Sequence, residues 1–131
     1  MMTAGSDLRG AVASEPVSGR LAAPTVVLRE PAVTGMLTGP EQEVRVLTAT
    51  FGPGDRTVFH SHCSPVTVYV LEGRFTLEVD GRAPIVVGPG QAFVEPPGVP
   101  HTGYNRSATD RLRVLIFQVC EPGMPFLDPL G

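Results

Sequence analysis

The residues best suited to chemistry in this chain are its three histidines, His60, His62 and His101. Two of them stand two apart, as His60-Ser61-His62. On a strand over residues 57–62, side chains at that spacing point the same way, with α-carbons roughly 6.5–7 Å apart. Two imidazoles so placed can converge on one ion at about 2.0–2.1 Å per nitrogen, the distance zinc ligation needs. A His-x-His pair taken alone is more often a packing or surface feature, so its surroundings decide its meaning.

Those surroundings carry two longer patterns. From Gly54 the chain runs five residues to His60-Ser61-His62, three more to Val66 and six more to Gly73. From Gly90 it runs five residues to Pro96, one to Gly98, two to His101 and three to Asn105. The second run matches every fixed position of the second signature of the cupin superfamily, and the first resembles the first signature of that superfamily. The resemblance implies an all-β fold, the double-stranded β-helix or jelly-roll barrel, with a metal in its mouth. It implies that His60 and His62 are ligands from one strand and that His101 is the third ligand. Glycine suits the turn positions 73, 90 and 98, and Pro96-Pro97 stiffens the turn that delivers His101. Asn105 reads as a residue that bonds its own local backbone.

One position departs from the pattern. Where the first signature carries a glutamate this chain has Val66, followed by Thr67, and neither is a competent ligand. Three neutral donors would leave the ion its full charge, a stronger Lewis acid. Loss of a hard carboxylate also turns selection towards Fe, Ni, Zn or Cu and away from Mn. Glu95 is the candidate replacement, as ligand or as catalytic base. It ends an otherwise apolar run, Ala92-Phe93-Val94, just before the Pro-Pro-Gly turn that leads to His101. Two placements are open: a buried carboxylate that needs a metal or a partner, or an exposed residue at a strand end. The Glu95-Pro96-Pro97-Gly98 run, with Ser64-Pro65-Val66 after the His pair, looks like one branch of small bacterial single-domain, quercetinase-like cupins. Cys63 is expected to point away from the site by opposite parity. Tyr104 reads as a rim aromatic, and Gln118 as either a pocket donor or a frayed strand end. Phe59, Phe75, Phe93 and Phe117 read as core or pocket wall.

The elements that must position these residues are short. Runs rich in Val, Leu, Thr and Phe are cut by Gly and Pro every eight to twelve residues or so, the spacing of a β-sandwich or barrel. The predicted strands cover 25–29, 43–51, 57–62, 66–72, 74–80, 83–87, 91–95, 101–104 and 111–119. Asp80-Gly81 is a hairpin turn. In 74–79 the polar set Arg74, Thr76 and Glu78 alternates with Phe75, Leu77 and Val79, which predicts one wet face. The runs 66–71 and 112–119 are largely apolar on both parities, which predicts cover on both sides. Residues 1–24 read as a flexible tail, 25–120 as the barrel domain, and 121–131 as an apolar tail lying on the barrel or on a partner.

Composition excludes other classes. The chain has 131 residues, 42% apolar and net charge −3, enough for one domain with a core. Its ten cations are all arginine and are scattered, so neither a nucleic-acid footprint nor a polybasic membrane patch is present. No apolar run reaches the roughly 20 residues that span a bilayer, and the first ten residues lack the apolar core of a secretory signal, which points to the cytoplasm. Two cysteines make no disulfide framework.

The functional expectation is a metal-dependent enzyme on a small organic substrate. The family precedent is dioxygenase chemistry with a redox metal, or isomerase, lyase or cyclase chemistry with zinc. A non-catalytic metal or ligand binder, as sensor or store, is the second reading. A metal-free barrel with packed histidines is the third. The two-sided apolar strands and the apolar tail predict a homodimer, since exposed patches of that kind are rare on monomers. Light scattering at micromolar concentration should give twice the 13.9 kDa chain mass; a value near 13.9 kDa contradicts the expectation.

Overall fold

A computed structural model of the chain describes residues 19–129. Most of the predicted tail, 1–18, and the last two residues lie outside the described residues. Nine strands form: β1 (Glu43–Phe51), β2 (His60–Ser61), β3 (Val66–Glu72), β4 (Phe75–Val79), β5 (Ile85–Val87), β6 (Ala92–Glu95), β7 (His101–Tyr104), β8 (Leu112–Cys120) and β9 (Asp128–Pro129). Among the described residues there is no helix, and so none long and apolar enough to cross a membrane.

The strands make two antiparallel sheets, one in the order β1-β8-β3-β6 and the other β5-β4-β7-β2-β9. This is the jelly-roll arrangement. Alternation directs one parity of each strand inward. Val66, Val68, Val70, Leu112 and Val114 of the first sheet thereby meet Phe75, Leu77, Val79 and Val87 of the second in one core. The rings of Phe51 and Phe75 touch across the sheets at 5.6 Å between centroids.

Several expectations change. Residues 25–29 are not a strand: Val26 and Val27 are exposed and, among the described residues, no partner strand lies beside them. Strand propensity needs a neighbouring edge to express it, and Pro24 and Pro31 bracket this run. Thr76, placed on a wet face, is buried between its cross-strand neighbours Val86 and Tyr104. Phe59 and Phe117 are exposed, not core. Phe117 shares the outer face of the first sheet with Val44, Val46 and Leu115, opposite the parity that fills the core. That face is less covered than two-sided apolar strands predict. Residues 30–37 run beside one part of it and leave a cavity of about 230 Å³ lined by Val33, Met36, Thr67, Val94 and Phe117.

The predicted strand over 57–62 is broken by a bulge. Arg56 pairs with Tyr104 and His60 with His101. Four steps on one side therefore face three on the other, one residue in excess. Val58 and Phe59 take up the excess and point outward. Such bulges re-aim side chains and favour the neighbourhood of sites.

Close packing at Gly103 gives a direct check. A Cβ there would lie 2.3 Å from the Phe75 ring, which holds the two sheets together through Phe51. Gly103→Ala should lower stability by about 1–3 kcal/mol, the usual scale of overpacking, seen as a lower urea midpoint with unchanged slope. An unchanged midpoint contradicts this packing.

Candidate metal centre

Two of the three histidines come from strands that pair, and the third directly follows β2. His60 and His101 stand directly opposite each other in the β2–β7 ladder. Residues so opposed have Cβ atoms about 4.5–5.5 Å apart on one face, and the two ring centroids are 4.4 Å apart. His62 follows two residues on, facing the same way, with its ring 4.9 Å from His60 and 5.2 Å from His101. The turn at 96–100 fixes this pairing. Gly98, at φ +72°, donates its N–H to the His62 carbonyl at 2.8 Å, a conformation side chains resist. One potential ligand nitrogen from each ring lies within 4.8 Å of the others, and all three residues are buried.

Glu95 is buried too, at 5% exposure, which excludes the exposed placement. Its Oε1 lies 3.1 Å from His62 Nε2 and 3.3 Å from His101 Nε2. The sheet register explains how it arrives there. Glu95 is the direct cross-strand partner of Val66, the position where the first signature carries its glutamate. Directly opposed residues share a face, so Glu95 on β6 faces the side that a carboxylate at 66 would; it lies beside His62 and His101 but outside the set of three nitrogens mutually within 4.8 Å. On the other side of Val66 stands Gln118 of β8, fully buried. Gln118–Val66–Glu95 is thus one row across three strands.

Each imidazole is oriented by its other nitrogen. His60 Nδ1 lies 2.6 Å from the Val58 carbonyl, His62 Nδ1 2.8 Å from that of Phe126, and His101 Nδ1 3.1 Å from that of Val99. A carbonyl only accepts, so each Nδ1 carries the hydrogen, and the neutral ring presents a bare lone pair at Nε2. Among the described residues the buried Nε2 atoms of His62 and His101 have no hydrogen-bond partner; the Glu95 oxygen sits beside them without hydrogen-bond geometry. Orphaned buried lone pairs around a buried carboxylate are what a cation satisfies. Backbone bonds at the distal nitrogens are the usual outer support of metal-bound histidine. The residues fit a metal.

The electrostatics couple Glu95 to the rings. Burial pushes the His60 pKa below its usual value, with the His101 and His62 rings adding to this against the Val58 carbonyl. Burial disfavours the Glu95 carboxylate, but His101 and His62 facing it outweigh that and hold its pKa below the usual range. For His101, burial is outweighed by Glu95, and the pKa is raised.

The other candidates fall elsewhere. Cys63 is exposed and lies outside the histidine cluster. Tyr104 donates its hydroxyl to Glu78 and lies under the Arg56 guanidinium, at the rim. Asn105 bonds the carbonyls of Phe51, Gly52 and Asp110 and is structural. Gln118 is not a frayed strand end: it is fully buried and its amide donates to the Phe126 carbonyl at 3.1 Å. That carbonyl is the feature sequence reasoning misses. A backbone oxygen in a proline-rich tail has no residue signature, and only the apolar Phe126 and Leu127 hint that the tail is anchored. The cavity beside the cluster is small, about 40 Å³, and Phe126 and Leu127 form part of its wall. A cleft of about 510 Å³ lies at the other end of the barrel, lined by Arg74, Arg106 and Arg111, and includes none of the candidate ligands.

The chain belongs to the cupin family: the family described as "Cupin domain" matches residues 47–117, more than half of the chain. Among curated proteins, auxin-binding protein 4 of Zea mays is 34% identical over 94 residues, 64% of this chain and 45% of that one. The chain spans less than half the length of the curated relatives it matches. Among solved structures, a cupin-like protein from Thermotoga maritima is 27% identical with TM-score 0.55, covering 67% of this chain and 65% of that one. A DMSP lyase from Ruegeria pomeroyi shares the fold at 20% identity and TM-score 0.56, covering 63% of this chain and 41% of its own. The protein is therefore a cupin with three histidines positioned for a metal ion.

This geometry predicts one equivalent of divalent metal per chain in protein purified without a histidine tag. His101→Ala should lower affinity by about 100-fold or more, beyond the 10–100-fold typical of outer-sphere losses. Folded wild-type protein that takes up neither zinc nor ferrous iron under saturating conditions contradicts it.

Proposed function

We propose that the protein is a metal-dependent enzyme acting on a small organic substrate at a mononuclear site formed by His60, His62, His101 and Glu95. The observation that carries this reading is the buried Glu95 carboxylate, 3.1 and 3.3 Å from two orphaned imidazole nitrogens. Three nitrogens and one carboxylate oxygen suit Fe, Ni, Zn or Cu. With Glu95 supplying an oxygen, the argument against Mn from the loss at Val66 weakens. When bound, such a metal supplies Lewis acidity and, if redox-active, electron transfer, the two routes to isomerase or lyase chemistry and to dioxygenase chemistry.

The chain's own residues do the remainder. His60, His62 and His101 hold their lone pairs in place through the Val58, Phe126 and Val99 carbonyls. Phe51, Val68, Phe75 and Ile116 give the cavity apolar walls that limit bulk water and lower its dielectric. Glu95, held ionised, is the proton acceptor nearest that space and serves as base where it is not a ligand.

A non-catalytic binder, sensor or store, is the second reading. The small cavity favours it, and so does likeness to proteins named for binding auxin. A homodimer through the outer face of the first sheet completes the proposal, supported by exposed Val44, Val46 and Phe117.

Glu95→Gln separates the roles, since it keeps shape and removes charge. We expect metal affinity to fall by about 10–100-fold or more, as for loss of a ligand. Retained metal with turnover reduced by about 100–10,000-fold would make Glu95 a base. Metal content and activity both unchanged would contradict any role in the site. Oxygen uptake by the iron, nickel or copper form selects the dioxygenase arm.

A further inference from the structure

The cavity next to the histidines, about 40 Å³, has room for roughly one to three waters. Sites for organic molecules are usually about 300–1,000 Å³. Anything larger than the few waters that fill it must therefore displace part of the wall. Phe51, Val68, Phe75, Val114 and Ile116 cannot yield, because they belong to the core or pack against it. Phe126 and Leu127 belong to a different kind of segment.

Residues 121–129 are a strap, mostly exposed. It contains Pro122, Pro125 and Pro129, and its only regular structure is the two-residue β9. That strand pairs with β2 beside His60, where Pro129 brings no N–H to the ladder. Polar contacts hold the rest. Gly123 N–H donates to Glu43 at 3.0 Å, Arg45 donates to the Met124 carbonyl, and Gln118 donates to the Phe126 carbonyl. Arg45 also joins Glu43 at 2.9 Å and Gln118 at 3.4 Å, so the three residues form one latch. Arg45 and the Gly123 N–H hold the Glu43 pKa down to about 2, so this latch stays charged above that pH. Segments with few apolar contacts and exposed backbone bonds are the ones that open locally.

The strap also touches the site. The Phe126 carbonyl takes the His62 Nδ1 hydrogen, and the Phe126 ring lies 5.1 Å from the His62 ring. We infer that residues 121–129 are a gate over the metal centre, latched by Glu43, Arg45 and Gln118, whose opening admits organic ligands and at the same time releases the support of His62. Gln118 and Arg45 are then positioning residues: they act on His62 through the Phe126 carbonyl. The gate itself rests on packing alone; its effect on the metal rests on the proposed site.

Two measurements on the full chain test it. The first is hydrogen exchange of metal-free protein, which depends on no ligand. Strap amides should exchange about 100-fold or more faster than those of β8. Gln118→Leu should accelerate them by roughly 5–10-fold, the worth of one hydrogen bond, and Arg45→Met, which removes the bonds to Met124, Glu43 and Gln118, by at least as much, while β8 is unchanged. Strap protection equal to that of β8, insensitive to either variant, would overturn the gate. The second uses cobalt(II)-loaded protein and visible absorption. Phe126→Ala keeps the carbonyl and removes the ring, so benzohydroxamate should bind about tenfold faster or more while azide binds as before, as expected for a gating step. Equal effects on both probes, or none, would overturn it. Failure to take up cobalt would sink the metal reading instead, and the exchange result would still decide the gate.

Discussion

A carboxylate buried to 5% exposure among apolar strands must face something that stabilises its charge. In this cupin it faces two imidazole nitrogens that themselves lack a hydrogen-bond partner among the described residues. The imidazoles favour the charged carboxylate, yet the Nε2 atoms of His62 and His101 find no hydrogen-bond partner among the described residues; a cation would satisfy both. The rest of the site follows from that need. The distal nitrogens must be occupied so that lone pairs turn inward, and three backbone carbonyls do this. Those carbonyls must in turn be held, which ties the bulge at Val58, the turn at Val99 and the strap at Phe126 to one centre.

Sheet register supplies the positioning at little local cost. A ladder sets opposed side chains close together on one face whatever their distance in sequence. The pair His60–His101 and the row Gln118–Val66–Glu95 are both products of that rule. The rule also explains how a ligand set can lose a residue and keep its geometry. Positions 66 and 95 stand opposite each other on neighbouring strands, and on the proposed reading a carboxylate at 95 replaces one at 66. The valine left at 66 packs with no exposure and closes the core beneath the site.

Much of this was legible in the sequence where the constraint is local. The turn glycines and prolines and the spacing of the histidines mark the two signatures, and β1, β3 and β7 begin and end where alternation and turn residues place them. What was hidden is non-local. Nothing near residue 95 says that it pairs with 66, so Glu95 could be ranked only as buried or exposed. The bulge at 58–59 depends on how β2 meets β7, and a His-x-His strand reads the same with or without it. Residues 25–29 show the opposite error, β-branched side chains without a neighbouring edge. The support of His62 by a tail carbonyl had no side-chain signal at all.

The relocation of the carboxylate is the central claim, and exchanging the two positions tests it most directly. Metal affinity is measured for Glu95→Val and for the double variant Val66→Glu with Glu95→Val, with thermal melts to confirm folding. The single variant should lose about 100-fold or more, and the double variant should recover to within about tenfold of wild type, since second-sphere adjustments are worth that much. A folded double variant that binds metal no better than Glu95→Val would contradict the claim that positions 66 and 95 address one metal.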